Sequence, residues 1–196
     1  TMIPPGQAPL VTSWDPVGLS YAPTGQHCPQ FHFQGLLYPG TEIFLGDHAW
    51  EIHAAAGHDP HSVVFFHRDS RTLVSADALW ENGFGIIFPE IDGKSGFPEQ
   101  QSILDRIEEL APRIVIPGHG KIFTDVNAAL ERARTRLTVL RAEPIKHARH
   151  SLKALIQFLM LELESTTRDD LALRVQDAKL FHNMCALMQT PQSQAV

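Results

Sequence analysis

Three side chains combine metal-ligand chemistry with a setting that suits it. They are His58 in Ala56-Gly57-His58-Asp59, Asp77 in Ser75-Ala76-Asp77-Ala78, and His119 in Pro117-Gly118-His119-Gly120. Each follows a short apolar stretch that reads as a strand, and the loops beyond strand ends can carry function while the sheet stays fixed. Glycine beside two of them lets backbone approach an ion closely. Imidazole nitrogen with a carboxylate suits zinc, and equally iron or manganese. Any one of the three alone reads more simply as a polar turn residue. Their shared order of strand, turn and ligand points to a metal centre.

The elements that must position them are short. Residues 41–45, 50–55, 62–67 and 72–75 are rich in β-branched or aromatic side chains and bounded by turn signals, so they predict strands. Arg68-Asp69-Ser70-Arg71 suits a hairpin turn. After a glycine-containing loop over 81–96, Pro98 marks a helix start and Ile103, Ile107 and Leu110 recur at helical spacing. Ala111-Pro112 stops that helix, and Ile114-Val115-Ile116 predicts a buried strand leading into the His119 turn. Residues 1–40, with Pro4-Pro5-Gly6 and Tyr38-Pro39-Gly40, predict irregular structure. Beyond Asp125 the chain predicts packed helices, with stripes through Leu130, Ala133, Leu137 and Leu140, through Ile145, Ala148, Leu152, Leu155, Leu159 and Leu163, and through Leu171, Val175, Ala178 and Phe181. The expected division is an α/β domain over 1–124 and a helical C-terminal module over 125–190.

Bulk properties narrow the partners. A hydrophobic content of 43% in 196 residues is that of a folded chain, and a net charge of −6 gives no global attraction to nucleic acid or anionic membrane. The basic stretch through Arg132, Arg134, Arg136, Arg141 and Lys146 lacks interleaved aromatics, so nucleic acid is not the expected partner. Cys28 and Cys185 are the two cysteines, too few and too far apart for a disulfide framework or a cysteine zinc site. No run of about 18 apolar residues is present, so neither a membrane span nor a membrane partner is expected, and a cytoplasmic location is. His53 alternates with strand neighbours and reads as structural, while His147 and His150 read as part of a solvated helix face.

From residue 41 to residue 123 the chain resembles the metallo-β-lactamase-fold hydrolases. The carrying motifs are Gly57-His58, Ser75-Ala76-Asp77-Ala78-Leu79-Trp80 and Gly118-His119. The resemblance implies an α/β fold, the C-terminal half of an αββα sandwich, so that residues 1–124 would form a partial domain of this type. It implies two metal ions, zinc first and iron or manganese as alternatives. His58 would hold the first ion, His119 the second, and Asp77 would bridge them as the catalytic carboxylate. The implied reaction is hydrolysis of a small ester-like substrate, such as a thioester or lactone, by metal-bound hydroxide. Trp80 and Phe84, close behind Asp77, could wall the substrate pocket, or could simply pack beneath their loop.

The sequence departs from the family pattern in two places. The third-ligand motif normally continues with a small hydroxyl residue, Pro and Gly, whereas Asp59, Pro60 and His61 follow His58. The family's His-x-His-x-Asp-His motif occurs nowhere, and neither His27 to His32 nor His58 to His61 has its spacing. Because that motif belongs to the family's amino-terminal half, the resemblance implies a fragment that is inactive alone and whose partner is its missing half. The alternative is a non-catalytic interaction or homodimerisation module that has lost the metal site.

Overall fold

Along 63–67 and 72–76 every second residue is buried, the period of a strand with one face on a core. A computed structural model describes residues 1–189 of the chain; Thr190, at the end of the expected helical module, lies outside the described residues. In chain order the elements are β1 (Met2–Ile3), a 3-10 turn (Pro5–Gln7), α1 (Ala8–Ser13), α2 (Tyr21–Thr24), β2 (Gly35–Leu36), β3 (Glu42–Leu45), β4 (His48–Ala54), β5 (Val63–His67), β6 (Thr72–Ala76), α3 (Phe88–Ile91), α4 (Phe97–Leu110), β7 (Ile114–Pro117), α5 (Val126–Ala142), α6 (Pro144–Leu163), α7 (Arg168–Val175) and α8 (Lys179–Met188). The fold class is α/β with a helical C-terminal region. The first 40 residues are less irregular than their composition predicts, and α3 interrupts the long loop. Both hold only short elements, which show too few turns for periodicity to register.

The chain forms two compact units. The first comprises residues 1–8 and 33–141. Its five-stranded sheet has the order β3-β4-β5-β6-β7, with antiparallel neighbours throughout except for the parallel pair β6 and β7. Val64, Phe66, Leu73 and Val115 on the sheet share one core with Ile103, Leu104 and Ile107 of α4 and with Leu130, Ala133 and Leu137 of α5. Full burial stabilises each such Leu, Ile, Val or Phe by about 1.5–3 kcal/mol. Helix α4 ends at Ala111, whose left-handed backbone (φ 47°) and N–H bond to the Ile107 carbonyl close the last turn.

On β4, His53 Nε2 lies 3.1 Å from Glu51 Oε2, and Arg106 of α4 reaches His53 Nδ1 at 3.5 Å. A neutral ring protonated at Nε2 satisfies both, donating to the carboxylate and facing the guanidinium with its lone pair. Burial holds the His53 pKa below the ordinary histidine value; the Glu51 hydrogen bond opposes that shift, and the Arg106 charge adds to it. The unfolded chain therefore binds a proton that the folded one refuses. The His53 contribution is present above about pH 6.5 and is lost as pH falls below it. Urea midpoints at about pH 7.5 and 5.5 should differ less in His53→Gln than in the parent protein, and an equal difference would refute this coupling.

The second unit comprises residues 9–32 and the helices from Ala142 onward. Leu152, Leu155 and Leu159 of α6 and Phe181 and Met184 of α8 are among its buried residues. Thr167 caps α7 by accepting from the Asp170 N–H at 3.1 Å. His147 is buried, 3% exposed, rather than on a solvated face, because it shares its i, i+4 row with buried Ser151 and Leu155. Among the described residues no helix is long and apolar enough to cross a membrane.

Candidate metal centre

Strands β4, β6 and β7 run the same way, since β5 is antiparallel to both β4 and β6, and β7 is parallel to β6. Their carboxyl ends therefore emerge at one rim of the sheet. His58 follows β4, Asp77 is the first residue past β6, and His119 follows β7. The structure brings all three together. His58 Nε2 stands 3.5 Å from Asp77 Oδ2, and His119 Nε2 stands 3.7 Å from Asp77 Oδ1.

Both gaps exceed a good hydrogen bond. Two donors each ~2.1 Å from one tetrahedral ion stand about 3.4 Å apart, so each imidazole and the carboxylate oxygen facing it have the span of a shared-ion pair. Among the described residues no group of three or more His, Cys, Asp or Glu side chains is gathered to hold one ion. The arrangement is two imidazole–carboxylate pairs that share the one Asp77 side chain.

The donors are held by the groups around them. His58 Nδ1 is hydrogen-bonded to the Ile86 carbonyl, so that Nδ1 carries the proton and the Nε2 lone pair is turned towards Asp77. Trp80 Nε1 donates to Asp77 Oδ1 at 3.0 Å, and the indole meets the His119 ring edge-on at 5.0 Å. Ala76, immediately before Asp77, has φ 46°, a left-handed conformation that costs an L-residue about 1–2 kcal/mol. The Gly118 N–H donates to the Ala76 carbonyl at 2.7 Å, tying the His119 turn to that strained residue. Buried Ser75 closes the far side of the loop by donating to the Leu79 carbonyl at 2.6 Å.

Close packing also limits substitution at the rim. A β-carbon on Gly85 would stand 2.8 Å from Asp77 Cβ and 2.9 Å from both Cγ and Nδ1 of His58, and one on Gly118 would stand 2.6 Å from Asp77 Oδ1. Asp59 accepts the His61 N–H at 2.7 Å and the Gln7 side-chain amide at 3.2 Å, so its carboxylate organises the turn where the resembled family has a hydroxyl.

The two aromatic candidates separate. Trp80 borders the centre through Asp77 and His119. Phe84 has no exposed surface, lies in the core and carries the Arg136 guanidinium 5.5 Å above its ring, so it packs beneath the loop and presents nothing to a substrate. Gly85, Ile86 and Gln100 also border these loops, and no motif or spacing in the sequence points to them as site residues. The one available signal was at Gln100, a polar residue on the apolar stripe of α4.

A family model described as the metallo-beta-lactamase superfamily matches residues 11–119, more than half of the chain. The probable metallo-hydrolase YqjP of Bacillus subtilis (strain 168) is 30% identical over an alignment of 93 residues, with 44% of this chain and 29% of that protein covered. A beta-lactamase domain protein from Burkholderia ambifaria superposes with a TM-score of 0.57 at 19% identity, over 76% of this chain and 47% of its own. TTHA1623, in a di-iron-bound form, superposes with a TM-score of 0.52 at 21% identity, over 68% and 63%. At these identities the structures show likeness of fold. The chain spans less than two thirds of the length of each of these proteins.

Proposed function

This chain belongs to the metallo-beta-lactamase superfamily, and from that premise we propose that its intact protein hydrolyses a small ester-like substrate, such as a thioester or lactone, at a centre built on His58, Asp77 and His119. The observation that carries this reading is the Asp77 carboxylate, which offers one oxygen beside His58 and the other beside His119. A metal pair bound there would supply Lewis acidity and a water acidic enough to ionise near neutral pH. The chain's own residues do the positioning: the Ile86 carbonyl sets the His58 tautomer, and Trp80 fixes the rotation of the Asp77 carboxylate. Trp80, half-buried beside His119, is the residue we assign to the substrate side of the centre.

Imidazole and carboxylate suit zinc, and the di-iron form of TTHA1623 keeps iron beside it as a candidate. Each ion would receive two donors from these residues, and we place the remaining donors elsewhere in the intact protein; residues 1–196 alone should bind metal weakly and hydrolyse nothing. The intact protein, purified without chelator, should carry about two equivalents of metal. Its hydrolysis of a panel of thioesters and lactones should vanish on chelation and return on remetallation. Absence of metal, with hydrolysis unchanged by chelator, would overturn the reading.

A further inference from the structure

The apolar stripe of α4 runs through Ile103, Leu104 and Ile107, and one turn earlier it falls on Gln100, which has no exposed surface. A carboxamide in that position has lost its water, a cost that an aliphatic side chain would not carry. Its two ends face different loops. Gln100 Nε2 donates to the Ala78 carbonyl at 2.9 Å, one residue after Asp77. Gln100 Oε1 is buried without a hydrogen-bond partner among the described residues. It is directed at Gly57, one residue before His58, where a β-carbon would stand 2.5 Å from Oε1 and 3.1 Å from the Gln100 Cα. Gly57 also has φ 148°, a conformation open to glycine and strained for other residues.

We propose that Gln100 is a positioning residue that sets the spacing between the His58 loop and the Asp77 loop, an inference resting on the metal-centre reading above. The carboxamide holds the Asp77 loop by a hydrogen bond and abuts the His58 loop by contact, on a helix anchored in the core. Reversing the amide would set Oε1 against the Ala78 carbonyl, so the orientation is fixed by the Asp77 side and the unpaired oxygen follows from it. An aliphatic side chain of equal length would fill the volume, withdraw the donor from Ala78 and let the two loops shift against each other. His58 and Asp77 would then lose their 3.5 Å register.

The test compares Gln100→Met, similar in length and without the amide, with Ile103→Val, which trims the same helix in the core. The first readout, on metal-depleted intact protein, is amide exchange at Gly85, whose N–H donates to the Asp77 carbonyl at 2.8 Å, relative to the amides of β5. Gln100→Met should raise the Gly85 ratio about tenfold, whereas Ile103→Val should leave it unchanged. The second readout is cobalt(II) affinity, expected to fall about tenfold or more in Gln100→Met alone. Gln100→Asn, one methylene shorter, serves the same comparison should Gln100→Met not fold. An unchanged Gly85 ratio in the Gln100 variants overturns the positioning role, whatever cobalt does. Parent protein that binds no cobalt, while Gln100→Met still loosens Gly85, sustains the positioning role and overturns the metal-centre reading instead.

Discussion

Gly85→Ala is expected to lower metal affinity about 100-fold, and hydrolysis by the intact protein with it, while leaving the fold largely intact. The added methyl would stand 2.8–2.9 Å from atoms of both Asp77 and His58. Neither neighbour can retreat freely. His58 is tied to the Ile86 carbonyl, Asp77 is tied to Trp80, and the Gly85 N–H is itself bonded to the Asp77 carbonyl. Relief of the overlap must therefore come from separating the two donors, and a shift of a few tenths of an ångström changes which ion they can share. Gly40→Ala is the control. Gly40 has φ 86° and nothing within 4 Å of a built β-carbon, so alanine there should cost roughly 1–2 kcal/mol of stability without altering metal affinity. Competition against a chromophoric chelator, with thermal unfolding alongside, separates the two effects. Equal affinity in Gly85→Ala and the parent would show that the rim does not hold the ligands.

How much of this was legible in the sequence depends on how local the cause is. The strands β5 and β6 were readable because alternation is a property of five consecutive residues. Helix α4 was readable because Pro98 and the Ala111-Pro112 stop bracket its stripe. The three donors were readable as candidates because each closes such an element. Their convergence follows from the shared direction of β4, β6 and β7, which the strand order supplies and no local window contains.

What holds the donors was not legible, because it is contact between distant segments. Ile86 meets His58 across 28 residues, and Gln100 meets Ala78 across 22. Nothing in Gly85-Ile86 distinguishes it from any other glycine in a loop. Phe84 was ambiguous because an aromatic residue in a loop serves a pocket wall or a core equally well, and only its complete burial decides for the core. His147 shows a related error of scale. The charged neighbours Lys146 and Arg149 point to solvent, but the i, i+4 row His147 shares with Ser151 and Leu155 governs which way the side chain turns.

Asp77→Asn should remove at least one equivalent of bound metal and slow hydrolysis about a thousandfold, equivalent to about 4 kcal/mol of lost transition-state stabilisation. The substitution preserves shape, so the expected loss is one of donors. Trp80 Nε1–H points at the Oδ1 position from 3.0 Å and would select the amide oxygen there. The amide nitrogen would then occupy the Oδ2 position beside His58. There its N–H would donate to the Nε2 lone pair, because the Nδ1 proton of His58 is already committed to the Ile86 carbonyl. One conservative change would thus withdraw the negative charge from both donor pairs and occupy the imidazole lone pair of one. The His119 side would retain a neutral oxygen, so the ion on the His58 side should be lost first. Metal stoichiometry, kcat/KM and thermal unfolding of the intact Asp77→Asn protein measure the three consequences together, with the stability of the metal-free form expected to stay within about 0.5 kcal/mol of the parent. Full metal content and parental kcat/KM in that variant would show that the carboxylate at the rim of this sheet serves neither ion.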